Sequence, residues 1–338
     1  MVSVLKNLIP HSLINVNRLS WGRFILPSAN IYSDSFLKMD TYTDVRNRVK
    51  RNFRNNVDRF ISDINKAVAQ QSTIYGDDFK NYLHLVEDKP EQIDCLNGIL
   101  SVVSKQNGFS SKFNYGPIIM RTILYLNKPD LALDLIKDKE FMHFFQDITS
   151  YDILFTSLLR SKMYQDVLEI YDLYYERHQK IPSSIQYATA VACLKLNTPE
   201  SFEKLGVMMK IMSERNIPKM NKFMDIFAAL ALKQNLPFEC LEIVSGSLNQ
   251  NYYLSLNLTI EALCELDRVS ECVSKINIAA KNISQFTPSI FKETLDKVNE
   301  KLQKMGKSIS FLILNFPSNL LILCNISLII HKKQGKRS

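Results

Sequence analysis

Three cations, Arg46, Lys50 and Arg54, recur at four-residue steps within "TDVRNRVKRNFRNNVDRFISDINKAV", with Arg48, Arg51 and Arg59 beside them. Side chains four apart share one face of a helix, so this spacing predicts a basic stripe able to contact phosphates. Val45, Val49, Phe53, Val57, Phe60 and Ile64 form an apolar stripe on another face of the same expected helix. A solvated helix face or an acidic protein partner would use the same residues.

Other reactive residues are scattered. The six cysteines, Cys95, Cys193, Cys240, Cys264, Cys272 and Cys324, include no C-x-x-C pair and sit mainly among apolar neighbours. Buried thiols in a reducing compartment are expected from that pattern, and no metal or other cofactor. His11, His84, His143, His178 and His331 show no ligand spacing. Asp77 and Asp78 in "GDDFKN" read as a helix start, where acids are favoured by the dipole. With no phosphate loop, nucleophile elbow or ligand triplet, the sequence points to a non-enzyme with no small-molecule substrate.

These residues are carried by a chain of 338, with 9 Gly, 11 Pro, 46% hydrophobic and 22% charged residues. So few breakers argue for long helices over a turn-rich β fold. The net charge of +8 is uneven: +3 in residues 1–33, +3 in 34–66 and +6 from Gln303 onward, which leaves −4 for residues 67–302. The body is mildly acidic, and a basic total does not by itself imply nucleic acid.

Residues 1–33 hold spaced cations, no acid and many large apolar side chains, the composition of a mitochondrial transit peptide. A frayed terminus and a secretory signal are the alternatives. Residues 34–70 form the basic amphipathic segment and 71–302 the main body. Within the basic, apolar tail 303–338, residues 308–330 are long enough to span a bilayer, but Asn315, Pro317, Asn319 and Asn325 interrupt them. Either a tail anchor or an aberrant read-through C-terminus accounts for that segment.

Within the body, Tyr151, Leu154, Phe155, Leu158 and Leu159 predict one helix, "RSK" a break, and Val167, Tyr171 and Tyr174, widened by Leu168 and Ile170, a second. A small-then-large step near the start of the second helix recurs at Ala132, Val167, Cys240 and Cys272, with Phe202 close to the phase, and Cys95 as a worn earlier copy. Successive steps from Ala132 are 35, 35, 38 and 32 residues. A period near 35 predicts an all-α fold, an α-solenoid of about five to six degenerate helical hairpins.

The first helices read "SYDILFTSLL", "QYATAVACLK" and "SLNLTIEALC", and "DVLEIYDLYYERHQKIPSSIQYATAV" carries a second helix into the next first helix. This resembles the pentatricopeptide repeat family. The tetratricopeptide pattern of Trp, Gly and Tyr is missing, since Trp21 is the only tryptophan. The resemblance implies a mitochondrial (matrix) protein acting in RNA maturation, chiefly messenger processing that supports the respiratory chain. It also implies partners in mitochondrial single-stranded transcripts and in RNA-processing proteins. By the family's pattern, base-reading residues would be Asp152 with Ser183, Ala188 with a residue near Met220, Asp225 with one near Tyr252, and Asn257. Only Asn257 has the usual residue type for the first slot. A protein-binding scaffold for ribosome function or respiratory-complex assembly is the other reading that the acidic body supports.

Overall fold

The computed structural model describes residues 33–106, 109, 113–247, 253–281 and 290–304. Residues 1–33, where a transit peptide is expected, and the tail with residues 308–330 lie outside the described residues, apart from 33, 303 and 304 at their inner edges. Every regular element among the described residues is helical. The helices follow one another in pairs: α1 (Met39–Phe53) with α2 (Val57–Ala69), α3 (Gly76–Leu85) with α4 (Pro90–Ser104), and α5 (Gly116–Tyr125) with α6 (Pro129–Lys137). Next come α7 (Ile148–Arg160) with α8 (Tyr164–His178), α9 (Ser183–Leu196) with α10 (Pro199–Glu214), and α11 (Asn221–Lys233) with α12 (Pro237–Ser245). The last are α13 (Tyr253–Glu265) with α14 (Val269–Lys281), and α15 (Lys292–Lys304).

Each first helix packs on the next one, from α1 to α3 and onward through α5, α7, α9, α11, α13 and α15. This is the α-solenoid of helical hairpins that the 35-residue period predicts. The residues that set the phase, Ala132, Val167, Phe202, Cys240 and Cys272, all lie in second helices, as expected. The basic segment 34–70 adds a layer of its own to the stack, because α1 packs against both α3 and α5.

The first helices are buried on nearly every side. Ser150–Leu158, Ile185–Leu194 and Phe223–Leu232 are continuous buried runs. A helix apolar all round can be stable only when neighbours cover every face. Here the preceding first helix, the following one and the helix's own partner do so. Each fully buried Leu, Ile or Phe contributes about 1.5–3 kcal/mol, so the row of first helices carries most of the fold. The cysteines at 95, 193, 240, 264 and 272 are free and buried, as the sequence predicts; Cys324 lies outside the described residues.

The turns inside the last five hairpins share a backbone device. Asn127, Lys162, Asn197, Asn235 and Asp267 all have positive φ, between 52° and 62°. Asn and Asp tolerate this conformation better than other side-chain-bearing residues. At three of these turns a proline follows two residues later, Pro129, Pro199 and Pro237, each opening the second helix. The fixed φ of proline suits that position, and its missing N–H costs nothing there. Gly116 matters for a different reason, close approach. A Cβ there would stand 2.3 Å from the Phe144 carbonyl oxygen. Only glycine lets α5 come so near that segment.

Candidate nucleic-acid interface

The predicted basic stripe divides in the folded chain. The expected single helix is interrupted: α1 ends at Phe53, and a 3-10 turn over Arg54–Asn56 precedes α2. The turn rotates the second half, so the six apolar residues do not form one stripe. The face that α1 buries is Met39, Tyr42 and Arg46, while α2 buries Ile61 and Ile64. Phe53 and Phe60 meet across the turn with ring centroids 4.8 Å apart.

Arg46 is therefore not part of the exposed basic face. It is 3% exposed and donates to the carbonyl oxygens of His84 at 2.8 Å and Val86 at 2.7 Å. Those carbonyls lie at the C-terminal end of α3, where backbone acceptors lack helical donors and the dipole favours a cation. The guanidinium also sits 4.4 Å from the Tyr125 ring centroid. It fastens the first layer to α3 and α5. Next to it, burial and the Arg46 charge push His84 down to about 4, so its ring is neutral.

Arg48, Arg51 and Arg54 are exposed. Lys50 is half-exposed and pairs with Glu87 at 3.1 Å, and Arg59 approaches Asp63 at 3.9 Å. Asp44, Asn47, Arg48, Lys50 and Arg51 line a shallow depression open to solvent. The arrangement offers three arginine forks to an anion passing along the outside of α1.

The family's base-reading slots are placed differently again. Asp152 is 9% exposed, and Asp225 and Asn257 are 0% exposed. Asp152 is hydrogen-bonded to the Ser184 side chain of the next first helix, and Asp225 accepts from Ser255 Oγ at 2.5 Å. Asn257 Oδ1 accepts from the Phe291 N–H at 2.8 Å, and its Nδ2 donates to the Tyr253 carbonyl at 2.6 Å. Ala188 is buried and Ser183 exposed; residues 251 and 252 lie outside the described residues. None of the three polar side chains is presented to a strand in this form. Each ties one repeat to the next.

Two further side chains that the sequence pattern does not reveal complete this set. Gln186 Nε2 donates to the carbonyls of Ile181 and Pro218 at 3.0 and 2.9 Å, while its Oε1 accepts from Met220 N–H at 3.0 Å. Glu261, 2% exposed, accepts from Thr294 Oγ1 at 2.9 Å and pairs with Lys297 at 2.8 Å. The signal that could have found them is separation: these links join residues 30 to 34 apart, close to one repeat. The same step appears on the outside in the Lys137–Glu169, Lys204–Asp172 and Lys301–Asp267 pairs.

Burial raises the Asp152 and Asp225 carboxyls to about 6 each, against their serine hydrogen bonds, which pull the other way. Asp225 Oδ2 has no hydrogen-bond partner. Both groups are therefore poised to lose a proton near neutrality inside the stack. Among the described residues, no group of three or more His, Cys, Asp or Glu is placed to hold a metal ion. Asp77 and Asp78 occupy the first turn of α3, as the sequence predicts. No helix among the described residues is long and apolar enough to cross a membrane.

Neither a protein-family model nor a solved structure matches the chain. Known proteins do. Pentatricopeptide repeat-containing protein 2, mitochondrial, of Pongo abelii is 26% identical over 281 residues, 81% of this chain and 72% of that protein. Its Homo sapiens counterpart is 24% identical over 278 residues, covering 81% and 71%. That of Xenopus laevis is 26% identical over 284 residues, covering 82% and 72%. Over some four fifths of its length the chain is similar to pentatricopeptide repeat-containing protein 2, mitochondrial, of these organisms, and it folds as an α-solenoid of helical hairpins.

Proposed function

We propose that this chain is a non-catalytic, RNA-binding solenoid of the mitochondrial matrix, acting in transcript maturation and messenger processing and so in respiratory-chain function. The observation that carries the reading is a pentatricopeptide-type stack whose first layer exposes Arg48, Arg51 and Arg54 together. The relatives' names support the mitochondrial location. The solenoid holds single-stranded transcripts by their phosphates while separate processing proteins do the chemistry. Buried slots at Asp152, Asp225 and Asn257 favour backbone contact over base-by-base readout.

The test is crosslinking of the protein to RNA in isolated mitochondria, with sequencing of the bound transcripts. It is paired with salt titration of the purified protein on a single-stranded RNA. Replacing Arg48, Arg51 and Arg54 together by Gln should flatten the dependence of log affinity on log salt by about 2, since each phosphate contact on a single strand contributes roughly 0.7. An unchanged slope removes α1 from the interface.

The second reading, a protein-binding scaffold in ribosome function or respiratory-complex assembly, draws on the continuous burial of α7, α9 and α11, which leaves little inner surface. A stable protein complex that survives ribonuclease and forms without RNA crosslinks would favour it.

A further inference from the structure

Four of the second helices carry an excess of exposed acids: Glu91 and Asp94 in α4, Asp130 and Asp134 in α6, Glu169 and Glu176 in α8, Glu200 and Glu203 in α10. Against that background one seam in the middle of the stack is basic. It lies where α8 leads into α9 and α10 leads into α11. Residues 177–187, "RHQKIPSSIQY", and 215–224, "RNIPKMNKFM", contain five cations and no acid.

The fold brings these two segments together. A single nitrogen, Gln186 Nε2, binds the carbonyls of Ile181 and Pro218, and Gln186 Oε1 takes the Met220 N–H. Lys180 adjoins the first of these residues, and Lys219 lies between the other two, so both rise from one joint. Arg215 crosses the same seam, donating to Gln179 Oε1 at 2.9 Å, and its guanidinium lies 5.3 Å from the Tyr175 ring centroid. Lys222 stands 6.0 Å from the Tyr187 ring centroid. Lys180 and Arg215 are exposed, and Lys219 and Lys222 are half-exposed. Arg177 is turned inward to the Tyr151 hydroxyl at 3.3 Å and is not counted.

The nearby acids do not cancel this charge. Glu214 reaches Lys210 at 3.8 Å, and Glu176 sits one turn back on α8. Two other places along the stack are acidic: the junction before α7 carries Asp138, Glu140 and Asp147, and α3 opens with Asp77 and Asp78. Both arms of the basic seam are held in shape by a positive-φ residue, Gln179 at 52° and Asn216 at 53°, followed by an Ile-Pro pair. The cations thus project from fixed loops.

We infer that Lys180, Arg215, Lys219 and Lys222 form a second phosphodiester-binding site, which takes the backbone of a single-stranded nucleic acid. The ligand class follows from the chemistry: four cations on two adjoining loops, beside second helices that carry exposed acids, suit a flexible polyanion. The inference rests on the RNA-binding reading given above, and it locates a site that the Arg48–Arg54 face does not include.

The experiment uses the full chain and a fluorescein-labelled 20-nucleotide oligouridylate, with affinity measured from 50 to 200 mM salt. K180Q/R215Q/K219Q and R48Q/R51Q/R54Q are compared with the unaltered protein, and thermal melts establish that each stays folded. The expected result is about tenfold weaker binding by the seam variant near 0.15 M salt, with a slope smaller by about 2. If the unaltered protein binds and the seam variant matches it in affinity and slope, the seam is overturned while RNA binding stands. No binding by the unaltered protein removes the RNA reading and the seam with it. A seam variant that keeps RNA affinity but loses binding to a polyglutamate peptide overturns the proposal in favour of an acidic protein partner.

Discussion

The outer face of α1 and the first helices further along the stack are two polar regions with opposite fates. Arg48, Arg51 and Arg54 face solvent, whereas Asp152, Asp225 and Asn257 are sealed between repeats. Both sets consist of polar residues at regular helical positions, and both looked like contact residues for RNA. What separates them is the number of neighbours around the helix. α1 is the outermost described first helix, so one side of it is left open. α7, α11 and α13 are each packed by a first helix on either side and by a second helix behind. A polar side chain there must find a partner within the stack or carry a desolvation cost of about 1–3 kcal/mol. The slot that reads a base elsewhere becomes a rivet here.

Arg46 sharpens the contrast because it belongs to the exposed region by sequence and to the buried one by structure. Replacing it with Gln should cost about 3 kcal/mol, through the loss of charged hydrogen bonds to His84 and Val86 carbonyls and of the Tyr125 contact. Chemical denaturation would show it, and Arg48→Gln in the same assay should change stability by less than about 0.5 kcal/mol. Equal effects from the two substitutions would erase the distinction.

The buried carboxylates predict a pH dependence of definite sign. Asp225 titrates at about 6 in the fold and near 3.9 in the unfolded chain. The native state therefore holds its proton longer, and this group's stabilisation is full below its unfolded value and is lost as pH rises through 6. The difference amounts to about 2–3 kcal/mol between pH 3.5 and pH 8. Asp225→Asn should remove that part of the decline, measured as the shift in urea midpoint over pH 4 to 7. A decline as steep as in the unaltered chain would mean that Asp225 is ionised without penalty.

The smallest effect is expected at Lys50, between the two regions in exposure. Its ion pair with Glu87 is open to solvent on both sides. Lys50→Gln should cost about 0.5 kcal/mol or less, and salt should abolish the difference. A loss near that of Arg46 would extend the buried region outward.

Much of the fold was legible because hydrophobic periodicity is a local property. The stripe of Tyr151 to Leu159 and the phase of Ala132, Val167, Cys240 and Cys272 locate hairpins without knowledge of their neighbours. The turns could have been read as well: Asn127-Lys-Pro, Asn197-Thr-Pro and Asn235-Leu-Pro mark three of them. The candidate site was less legible, since it depends on which helix face a neighbour covers. Arg46 shares its spacing with Lys50 and Arg54, and only the docking of α3 and α5 singles it out. The Asn55-Asn56 pair hinted at the break that ended the continuous stripe. The basic seam was hidden for another reason: Lys180 and Lys219 lie 39 residues apart, and a net charge of −4 for the body averages them away.

The most direct test is photocrosslinking of the protein to single-stranded RNA, followed by mass spectrometric identification of the crosslinked peptides. The account predicts adducts on residues 48–54 and on the loops at 179–182 and 215–222, with none on the inner residues of α7, α11 or α13. Adducts at Asp152, Asp225 or Asn257 would show that the stack opens to read bases, and would contradict it.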